Sequence, residues 1–518
     1  MKLKYKVLSL VMFVMLICCV SAASAADVDN ITVPDDTSVI EIDDAVDSVE
    51  VDEINENDVS EDIPVTMSKA VTVTDADYNK CFDSNGYLND TAITELTFSG
   101  NFNAKSFGNF KINKTIPLNV AGATFNGVSF DLLADNLVLD GARFIYNSHG
   151  AVVYVNASND VVQNLNIVVN GVEGQDVYAI FVENADSVQI LNNTITYNAT
   201  TTNANNYNYV IKVKNSPKIK IVGNTINAYL PLKDVDYWGT RTGMDMDLVA
   251  GIGIENSKEF NLSYNVINVN VTNVSGSFPT LDAVIVLDSA DSHIRYNNIT
   301  FIDDVTPAGS ANYLYAIDVY RCDNLRIYNN DIKLTSYGGS YINGTINGTS
   351  AAYGIQLTGG YATVEICYNK INTSNNGPNA GIYSQNFAGT TTLTIRGNEI
   401  YVEGNAGLHS WSLVTGMELQ DNRAYVFDNN ITVNNKGGYV NGSNAYGISF
   451  SQYYTKIPDS FTISNNNITL INGDWAVYIQ DYEYAEVTNN RLISTHYTGD
   501  GAVYDDGNGI IISGNHYP

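Results

Sequence analysis

The stretch SHIRYNNITF, residues 292–301, decides the fold because the chain repeats its pattern many times. A short apolar alternation leads to an asparagine, and an Asn-x-Ile step leads into a second alternation. Close copies are IVGNTINAY from 221, RIYNNDIKL from 326, EICYNKINT from 365, TIRGNEIYV from 394 and TISNNNITL from 462. A repeat of this size predicts a solenoid, in which no unit buries its apolar face alone.

The asparagine of Asn-x-Ile is interpreted as a structural residue. Asn tolerates a left-handed backbone better than any residue except Gly, so we expect it at a tight bend between two strands. Gly223 and Gly397, each directly before the asparagine, fit the same corner. Stacked Asn side chains then hydrogen-bond along the rod as a ladder. The predicted ladder consists of Asn193, Asn224, Asn265, Asn297, Asn330, Asn369, Asn398, Asn429 and Asn466.

A second signature, [Ala/Gly]-Ile-x-Val, precedes each asparagine. Its copies are YAIFV from 178, YVIKV from 209, AGIGI from 250, AVIVL from 283, YAIDV from 315, YGIQL from 353, AGIYS from 380, YGISF from 446 and WAVYI from 475. Each unit therefore contains three short strands of about four or five residues with a period of two. The sequence predicts an all-β fold, a right-handed parallel β-helix of about a dozen three-strand rungs.

Composition narrows the range of partners. The 518 residues include 44% hydrophobic residues, enough for a sizeable core, and the formal net charge is -30. A chain of this charge is repelled by nucleic acid and by anionic membrane surfaces, so neither is an expected partner.

The chain divides into four predicted parts. Residues 1–25 have the positive start, apolar stretch and small-residue end of a signal peptide. This predicts a protein that is secreted or extracellular, free or associated with the cell surface, with no transmembrane segment in the mature chain. Residues 26–68 carry 15 acids and no Lys or Arg, and are interpreted as a disordered leader. Residues 69–117 are the predicted N-terminal cap and first rung, in which Asp75 or Asp77 caps a short helix that Gly86 ends. The β-helix repeats fill residues 118–518.

Three cysteines remain after residue 25, which leaves room for one disulfide but not for a disulfide framework.

The Asn-x-Ile rungs resemble those of the right-handed β-helix superfamily that includes pectate lyases, polygalacturonases and the copper-site accessory protein of nitrous-oxide reductase. The signal peptide, the acidic leader, the segment VTVTDADYNKCFDSNG (71–86) and the Asn-rich rungs together resemble adhesin-like surface proteins of methanogenic archaea. The resemblance covers nearly the whole chain after the signal peptide and implies the β-helix fold. For function it implies a surface or adhesin-like role, a category defined by architecture.

The insertion YLPLKDVDYWGTRTGMDMDL, residues 229–248, is the best candidate for a binding site. Long loops on a rigid scaffold often carry function, and carboxylate oxygens suit calcium, while an aromatic pair can stack on a sugar. The opposing interpretation is a solvated loop along one flank of the rod. The candidate binding residues are Asp234, Asp236, Tyr237, Trp238, Arg241, Asp245 and Asp247. Calcium is the one cofactor that these residues could bind. The sequence assigns no catalytic residue and no set of metal ligands.

Two further patterns concern the surface. Tyrosines such as Tyr209, Tyr315 and Tyr482 are predicted in or near loops, as recognition residues or as fillers beside strands. Asn-x-Ser/Thr sequons predict glycosylation at Asn198, Asn343, Asn347 and Asn441, although a chain rich in Asn and Thr also produces sequons by chance.

Three functions remain open. The first is a non-catalytic, adhesin-like protein that binds glycans or another cell surface. The second is a polysaccharide hydrolase or lyase, which two or three acids converging on one groove would favour. The sequence lacks the motifs of polygalacturonases, which makes this second alternative less favoured than the first. The third is a structural cell-wall spacer, favoured by flat loops without a groove.

Overall fold

A computed structural model describes residues 69–171, 176–199, 208–231, 235–236, 247–272, 276–277, 280–303, 313–337, 340–342, 345–347, 351–360, 363–386, 392–406, 413–421, 423–437, 444–451, 461–506 and 509–518. The predicted signal peptide and leader lie outside these residues. Thr66–Pro518 forms one compact unit. Within the described ranges, no helical segment has the length and hydropathy that crossing a membrane requires.

Three long parallel sheets make up the described chain, and each turn adds one strand to sheet 1, then to sheet 2, then to sheet 3. Sheet 1 has 14 strands: β4 (Asn109–Ile112), β7 (Ser129–Leu132), β10 (Gly150–Val155), β13 (Val177–Glu183), β16 (Asn208–Lys214), β20 (Asp247–Glu255), β24 (Thr280–Leu287), β27 (Tyr313–Tyr320), β32 (Ala351–Thr358), β35 (Asn379–Gln385), β38 (Val414–Gln420), β41 (Ala445–Ser451), β44 (Trp475–Gln480) and β47 (Val503–Asp505).

Sheet 2 has 13 strands: β8 (Val138–Asp140), β11 (Val161–Gln163), β14 (Gln189–Leu191), β17 (Lys220–Val222), β21 (Asn261–Ser263), β25 (Ser292–Arg295), β28 (Leu325–Tyr328), β33 (Thr363–Cys367), β36 (Thr392–Arg396), β39 (Arg423–Phe427), β42 (Phe461–Ser464), β45 (Ala485–Thr488) and β48 (Ile511–Ser513). Sheet 3 has 14 strands: β3 (Asn101–Asn103), β6 (Thr124–Asn126), β9 (Arg143–Tyr146), β12 (Asn166–Asn170), β15 (Thr194–Asn198), β18 (Thr225–Pro231), β22 (Val266–Thr272), β26 (Asn298–Asp303), β29 (Asp331–Ser336), β34 (Lys370–Ser374), β37 (Glu399–Gly404), β40 (Asn430–Asn435), β43 (Asn467–Ile471) and β46 (Arg491–Ser494).

The remaining elements are short. A three-stranded parallel sheet of β1 (Lys69–Val73), β2 (Ile93–Phe98) and β5 (Leu118–Asn119) lies at the N-terminal end. β19 (Val235–Asp236) pairs with β23 (Gly276–Ser277), and β30 (Ser340–Ile342) forms a hairpin with β31 (Thr345–Asn347). Two 3₁₀ helices span Tyr78–Lys80 and Gly499–Ala502.

Parallel pairing places like residues above one another in the interior. Ile294 pairs with Ile327 in sheet 2, and Ile317 pairs with Ile355 in sheet 1, and all four are fully buried. At the usual strand spacing, 14 strands give a rod roughly 60 Å long. The predicted fold class, a right-handed parallel β-helix, is therefore confirmed. Sheet 1 differs in detail, because its strands reach nine residues in β20 rather than four or five.

The asparagine ladder lies buried between sheets 2 and 3. The Oδ1 atom of Asn330 accepts hydrogen bonds from the backbone N and the Nδ2 of Asn297, each at 3.0 Å. The Nδ2 of Asn330 donates to the carbonyl of Ile294 and to the Oδ1 of Asn369, both at 2.9 Å. The same side-chain bond links the nine asparagines from Asn193 to Asn466 and continues beyond them. Each side chain thus satisfies buried backbone groups at the bend.

The left-handed residue at this bend is the one before the ladder asparagine, so the expectation that the asparagine itself is left-handed is wrong. Asn192 has φ 54°, Gly223 has φ 71° and Tyr296 has φ 54°. The asparagine acts through its side chain, which needs both an acceptor and a donor to reach two rungs.

A column of small residues explains the [Ala/Gly]-Ile-x-Val signature. A Cβ on Gly416 would lie 2.3 Å from the Cγ2 of Ile431 in sheet 3 and 2.5 Å from the carbonyl oxygen of Gly447. Other turns carry Ala283 or Ala316 at this position. The close approach of sheet 1 to sheet 3 therefore limits side-chain size here.

The cysteines are architectural. Cys81, Cys322 and Cys367 are all free and buried, so the disulfide that the sequence left open does not form among them. The Sγ of Cys322 accepts a hydrogen bond from the backbone N of Ser289 at 3.5 Å, in the place that serine hydroxyls take in preceding turns. Burial raises the pKa of the Cys322 thiol to about 12.

The N-terminal end is filled by phenylalanines. The rings of Phe82, Phe98 and Phe110 lie 4.6 to 6.0 Å apart and join the same core as the rungs. The predicted helix up to Gly86 is limited to Tyr78–Lys80. Asp77 does not cap it with its side chain, because its carboxylate instead accepts two hydrogen bonds of 2.7 Å from Thr74.

Candidate functional site

The outer face of sheet 1 carries the residues that change from turn to turn. The x of [Ala/Gly]-Ile-x-Val points outward, because its neighbours on either side fill the core. Register stacks these residues in one column, which we call the central column: Lys212, Gly253, Ile285, Asp318, Gln356, Tyr383, Glu418, Ser449, Tyr478 and Tyr504. Exposure varies along this column: Ile285, Asp318, Glu418 and Ser449 are buried, whereas Gln356, Tyr383, Tyr478 and Tyr504 are half-buried. A polymer lying along the rod would therefore meet the second set.

Aromatic rings gather at the C-terminal part of this face. Tyr446 and Tyr478 have ring centroids 4.6 Å apart with an interplanar angle of 13°, and Tyr478 and Tyr504 follow at 5.0 Å and 11°. Trp475 stacks on Tyr497 at 5.4 Å with an angle of 2°. Trp475, Tyr478, Tyr497 and Tyr504 are half-buried. Mutual stacking holds the rings rigid while part of their surface meets solvent.

Amides and hydroxyls accompany the rings. The hydroxyl of Tyr478 donates to the Oε1 of Gln480 at 3.1 Å, and the hydroxyl of Tyr383 donates to the Oε1 of Gln385 at 3.1 Å. Each amide keeps a planar NH₂ group with two donors, which suits sugar hydroxyls. We call the surface formed by Tyr383, Gln385, Glu418, Gln420, Tyr446, Trp475, Tyr478, Gln480 and Tyr504 the aromatic–amide face.

Glu418 is the acid within this face. It is 5% exposed, and burial raises its pKa to about 7, while a hydrogen bond of 2.6 Å from the Nε2 of Gln420 lowers it. Near neutral pH the carboxyl is thus divided between its protonated and charged forms. At 5% exposure the carboxyl has little access to a ligand, so its protonation acts first on the hydrogen bond with Gln420.

Glu418 has no second acid near it in its column, whereas Asp282 and Asp318 lie on the neighbouring strands β24 and β27, and both act on Tyr315. Asp318 stands in the central column three strands before Glu418, which separates them by roughly 14 Å. Glycoside hydrolysis needs two carboxyls roughly 5 to 9.5 Å apart. The column neighbours of Glu418 are Tyr383 and Ser449, and neither is an acid. In the part of the chain that the structure describes, no three His, Cys, Asp or Glu residues form a group that could hold a metal.

The predicted binding residues of 229–248 mostly lie outside the described residues. These are Asp234, Tyr237, Trp238, Arg241 and Asp245. Asp236 belongs to β19 and Asp247 begins β20. The insertion is also shorter than predicted, because Tyr229 and Pro231 still belong to β18. Calcium binding there stays a prediction.

Two of the predicted glycosylation sites lie within the described residues and two lie outside them. Asn198 ends β15, and its Nδ2 donates to the Oδ1 of Asn170 at 3.4 Å. Asn347 ends β31. Asn343 and Asn441 lie outside the described residues.

The assignment of tyrosines to loops is partly wrong. Tyr209 and Tyr315 lie within strands of sheet 1, and Tyr482 is a core residue with 1% exposure. The sequence did contain a signal for the outer face of sheet 1. The variable x of [Ala/Gly]-Ile-x-Val marks one outward column, and the aromatic residue before the Ala or Gly marks another. Glu418 was missed because its unit, TGMEL from 415, has Met in place of Ile.

Comparisons with known proteins give solved structures only. No family model matches the chain, and no curated protein matches it. The A-module of the Azotobacter vinelandii mannuronan C-5 epimerase AlgE6 is 11% identical, with a TM-score of 0.35, over 85% of this chain and 93% of that one. A mutant of the periplasmic alginate epimerase AlgG is 12% identical, with a TM-score of 0.37, over 72% and 78%. The Dettilon tailspike protein is 13% identical, with a TM-score of 0.26, over 85% and 68%.

Proposed function

We propose that the protein is a secreted or cell-surface, adhesin-like protein that binds glycans without cleaving them. The aromatic–amide face is the proposed binding surface. The observation that carries the proposal is the row of half-buried rings at Trp475, Tyr478 and Tyr504. Tyr478 stacks on Tyr504, Trp475 packs against both at a tilt, and Gln480 borders them. Rigid rings offer the apolar face of a sugar a large contact at little entropic cost, and amides supply hydrogen bonds to its hydroxyls.

A hydrolase is the second candidate, and Glu418 is the observation that favours it. An acid with a pKa near 7 is suited to donate a proton at neutral pH. The distance of roughly 14 Å to Asp318 favours binding over cleavage, because the second carboxyl of a glycosidase must be much closer.

Co-elution with polysaccharides tests the proposal. The full-length chain is mixed with neutral and acidic polysaccharides, with and without calcium, and size-exclusion chromatography follows both protein and polymer. We expect protein to co-elute with at least one polymer of unchanged length. A polymer that becomes shorter would establish an enzyme, and the Glu418→Gln variant would then show whether this acid is required.

Protein that elutes alone with every polymer would contradict glycan binding and favour a structural role. A calcium requirement for co-elution would support a role for the carboxylates of 229–248. Co-elution that is equal with and without calcium would remove that role from the proposal.

A further inference from the structure

The outer face of sheet 2 collects positive charge in a strongly acidic chain. Four of the eight arginines lie there, on strands β25, β28, β36 and β39: Arg295, Arg326, Arg396 and Arg423. One acid, Glu365, shares this face between β21 and β39, and it pairs with Arg326 at 3.2 Å. Acids lie at the edges of this face: Asp291 before β25, Asp323 before β28 and Asp428 at the bend after β39. Asp331 and Glu399 follow across that bend, with Lys370 between them. The centre of the face is positive and its edges are acidic.

Two of these arginines are held in place by tyrosines instead of carboxylates. The Nη1 of Arg295 donates to the hydroxyl of Tyr328 at 2.9 Å, and its guanidinium carbon lies 5.9 Å from the centre of that ring. The guanidinium of Arg396 lies 5.5 Å from the ring centre of Tyr368. The guanidinium of Arg396 also forms a hydrogen bond with the thiol of Cys367. Among the described residues neither Arg295 nor Arg396 forms a salt bridge, so no carboxylate neutralises either charge.

The positive field also acts on the neighbouring imidazole. Burial, followed by the charges of Arg295 and Arg326, lowers the pKa of His293, against a smaller opposite effect of Glu365. The imidazole is part of the same group, because its ring contacts Tyr328 edge-on at 6.1 Å.

The bend beside these arginines carries tyrosines in a backbone conformation that disfavours them. Tyr264, Tyr296 and Tyr368 have φ of 58°, 54° and 56°, and they are 58%, 42% and 54% exposed. Other rungs have Asn, Asp or Gly at the same place: Asn192, Gly223, Asn329, Gly397, Asp428 and Asn465. Bulky residues at positive φ are strained, and strain of this kind concentrates at functional sites. The three tyrosines flank the arginines and nothing in the core requires them.

We propose that an arginine–tyrosine face, formed by Arg295, Arg326, Arg396, Tyr296, Tyr328 and Tyr368, binds an anionic polysaccharide that lies along the rod. Arg295 and Arg396 stand three strands apart, roughly 14 Å along the rod. Guanidinium groups bind carboxylate or sulfate through paired hydrogen bonds, and a linear polymer offers such groups at regular intervals. The tyrosine hydroxyls supply further donors between them. This site goes beyond the proposed function, because it lies on another sheet and selects for charge.

Matched polymers test the selectivity. The full-length chain is titrated with polygalacturonate and its methyl ester, and with dextran sulfate and dextran. We expect each charged polymer to bind at least about tenfold more tightly than its neutral partner, because each arginine contributes a charge-assisted hydrogen bond. Binding should weaken as NaCl rises from about 50 to about 500 mM.

Two double variants locate the site. Arg295→Gln with Arg396→Gln should weaken binding of the charged polymers at least about tenfold. Tyr296→Asn with Tyr368→Asn should also weaken it while the chain stays folded, because Asn occupies the same left-handed position at 192 and 329. Arg143→Gln, which removes an exposed arginine from sheet 3, is the control and should change nothing.

Several outcomes would overturn the inference. These are equal binding of charged and neutral polymers, no binding of the charged ones, and unchanged binding in both double variants. Poly-L-glutamate binding as tightly as polygalacturonate would reassign the face to acidic polypeptides. If Trp475→Ala abolishes binding of the charged polymers and the arginine variant does not, the anion site lies on sheet 1. That result would refute the inference for sheet 2 and leave the proposed function of sheet 1 intact.

Discussion

In the turn between sheets 2 and 3 the same residue returns rung after rung, whereas on the outer face of sheet 1 almost every strand presents a different one. The two regions share one register. The ladder asparagines are buried and each bonds the next rung, so a change at one affects two others. The central column runs from Asp318 through Gln356 and Tyr383 to Glu418 without repetition. In a solenoid, then, repeated positions define the architecture, and register-matched positions that do not repeat are the place to look for recognition.

Asn330→Ala should give the largest loss of stability. The side chain accepts two hydrogen bonds from Asn297 and donates to Ile294 and Asn369, so its removal leaves several buried groups unsatisfied. We expect a loss of about 3–5 kcal/mol, measured from urea unfolding followed by circular dichroism. Asn298→Ala, at the exposed neighbour, is the matched control and should cost less than about 1 kcal/mol. Equal losses would mean that the ladder contributes no more than a surface residue.

Glu418→Gln should give a gain of stability that depends on pH. Burial raises the folded-state pKa to about 7, above that of an unfolded chain, so the folded chain holds the proton more tightly. The contribution of Glu418 to the stability of the unmodified chain therefore falls between about pH 4.5 and about pH 7 and stays level above that.

A glutamine cannot lose a proton, so the variant escapes this fall. Thermal unfolding at pH 4 and pH 8 should show no difference at pH 4 and a gain of up to about 3 kcal/mol at pH 8. The exposed Glu399→Gln serves as control and should follow the unmodified chain at both values. A gain that is the same at pH 4 and pH 8 would refute the raised pKa.

Gly416→Ala should give a smaller loss. The new methyl group would meet Ile431 at 2.3 Å and the carbonyl oxygen of Gly447 at 2.5 Å, so sheets 1 and 3 must separate slightly. We expect a loss of about 1–3 kcal/mol by urea unfolding. Gly501→Ala, where a Cβ meets nothing within 4 Å, is the matched control. If both substitutions are neutral, the small-residue column reflects something other than close packing.

The same comparison explains what the sequence could predict. The Asn-x-Ile and [Ala/Gly]-Ile-x-Val repeats predict three strands per turn, because repetition multiplies a weak signal. The left-handed residue was misplaced by one position, since Asn192 and Asn193 are equally plausible by propensity alone and only the hydrogen bonds distinguish them.

The candidate site was far less predictable. Asp318 and Glu418 are 100 residues apart in sequence, yet they share a column because loops of unequal length intervene. A binding surface on a β-helix is assembled from single residues of many turns, so it leaves no contiguous motif. The unusual loop 229–248 stood out in the sequence for its composition, whereas Tyr478 and Gln480 looked like ordinary strand residues.

A matched pair of tyrosines tests the central assignment most directly. Tyr478 on sheet 1 and Tyr401 on sheet 3 both lie on outer faces, and each hydroxyl donates at 3.1 Å to a side chain two residues on, Gln480 and Glu403. The measurement is the dissociation constant of each alanine variant for a neutral polymer that co-elutes with the unmodified chain, because charged polymers are expected on sheet 2. Tyr478→Ala should weaken binding about five- to thirtyfold, corresponding to about 1–2 kcal/mol, and Tyr401→Ala should leave it unchanged. Equal affinities for the two variants would contradict the assignment of glycan binding to the aromatic–amide face.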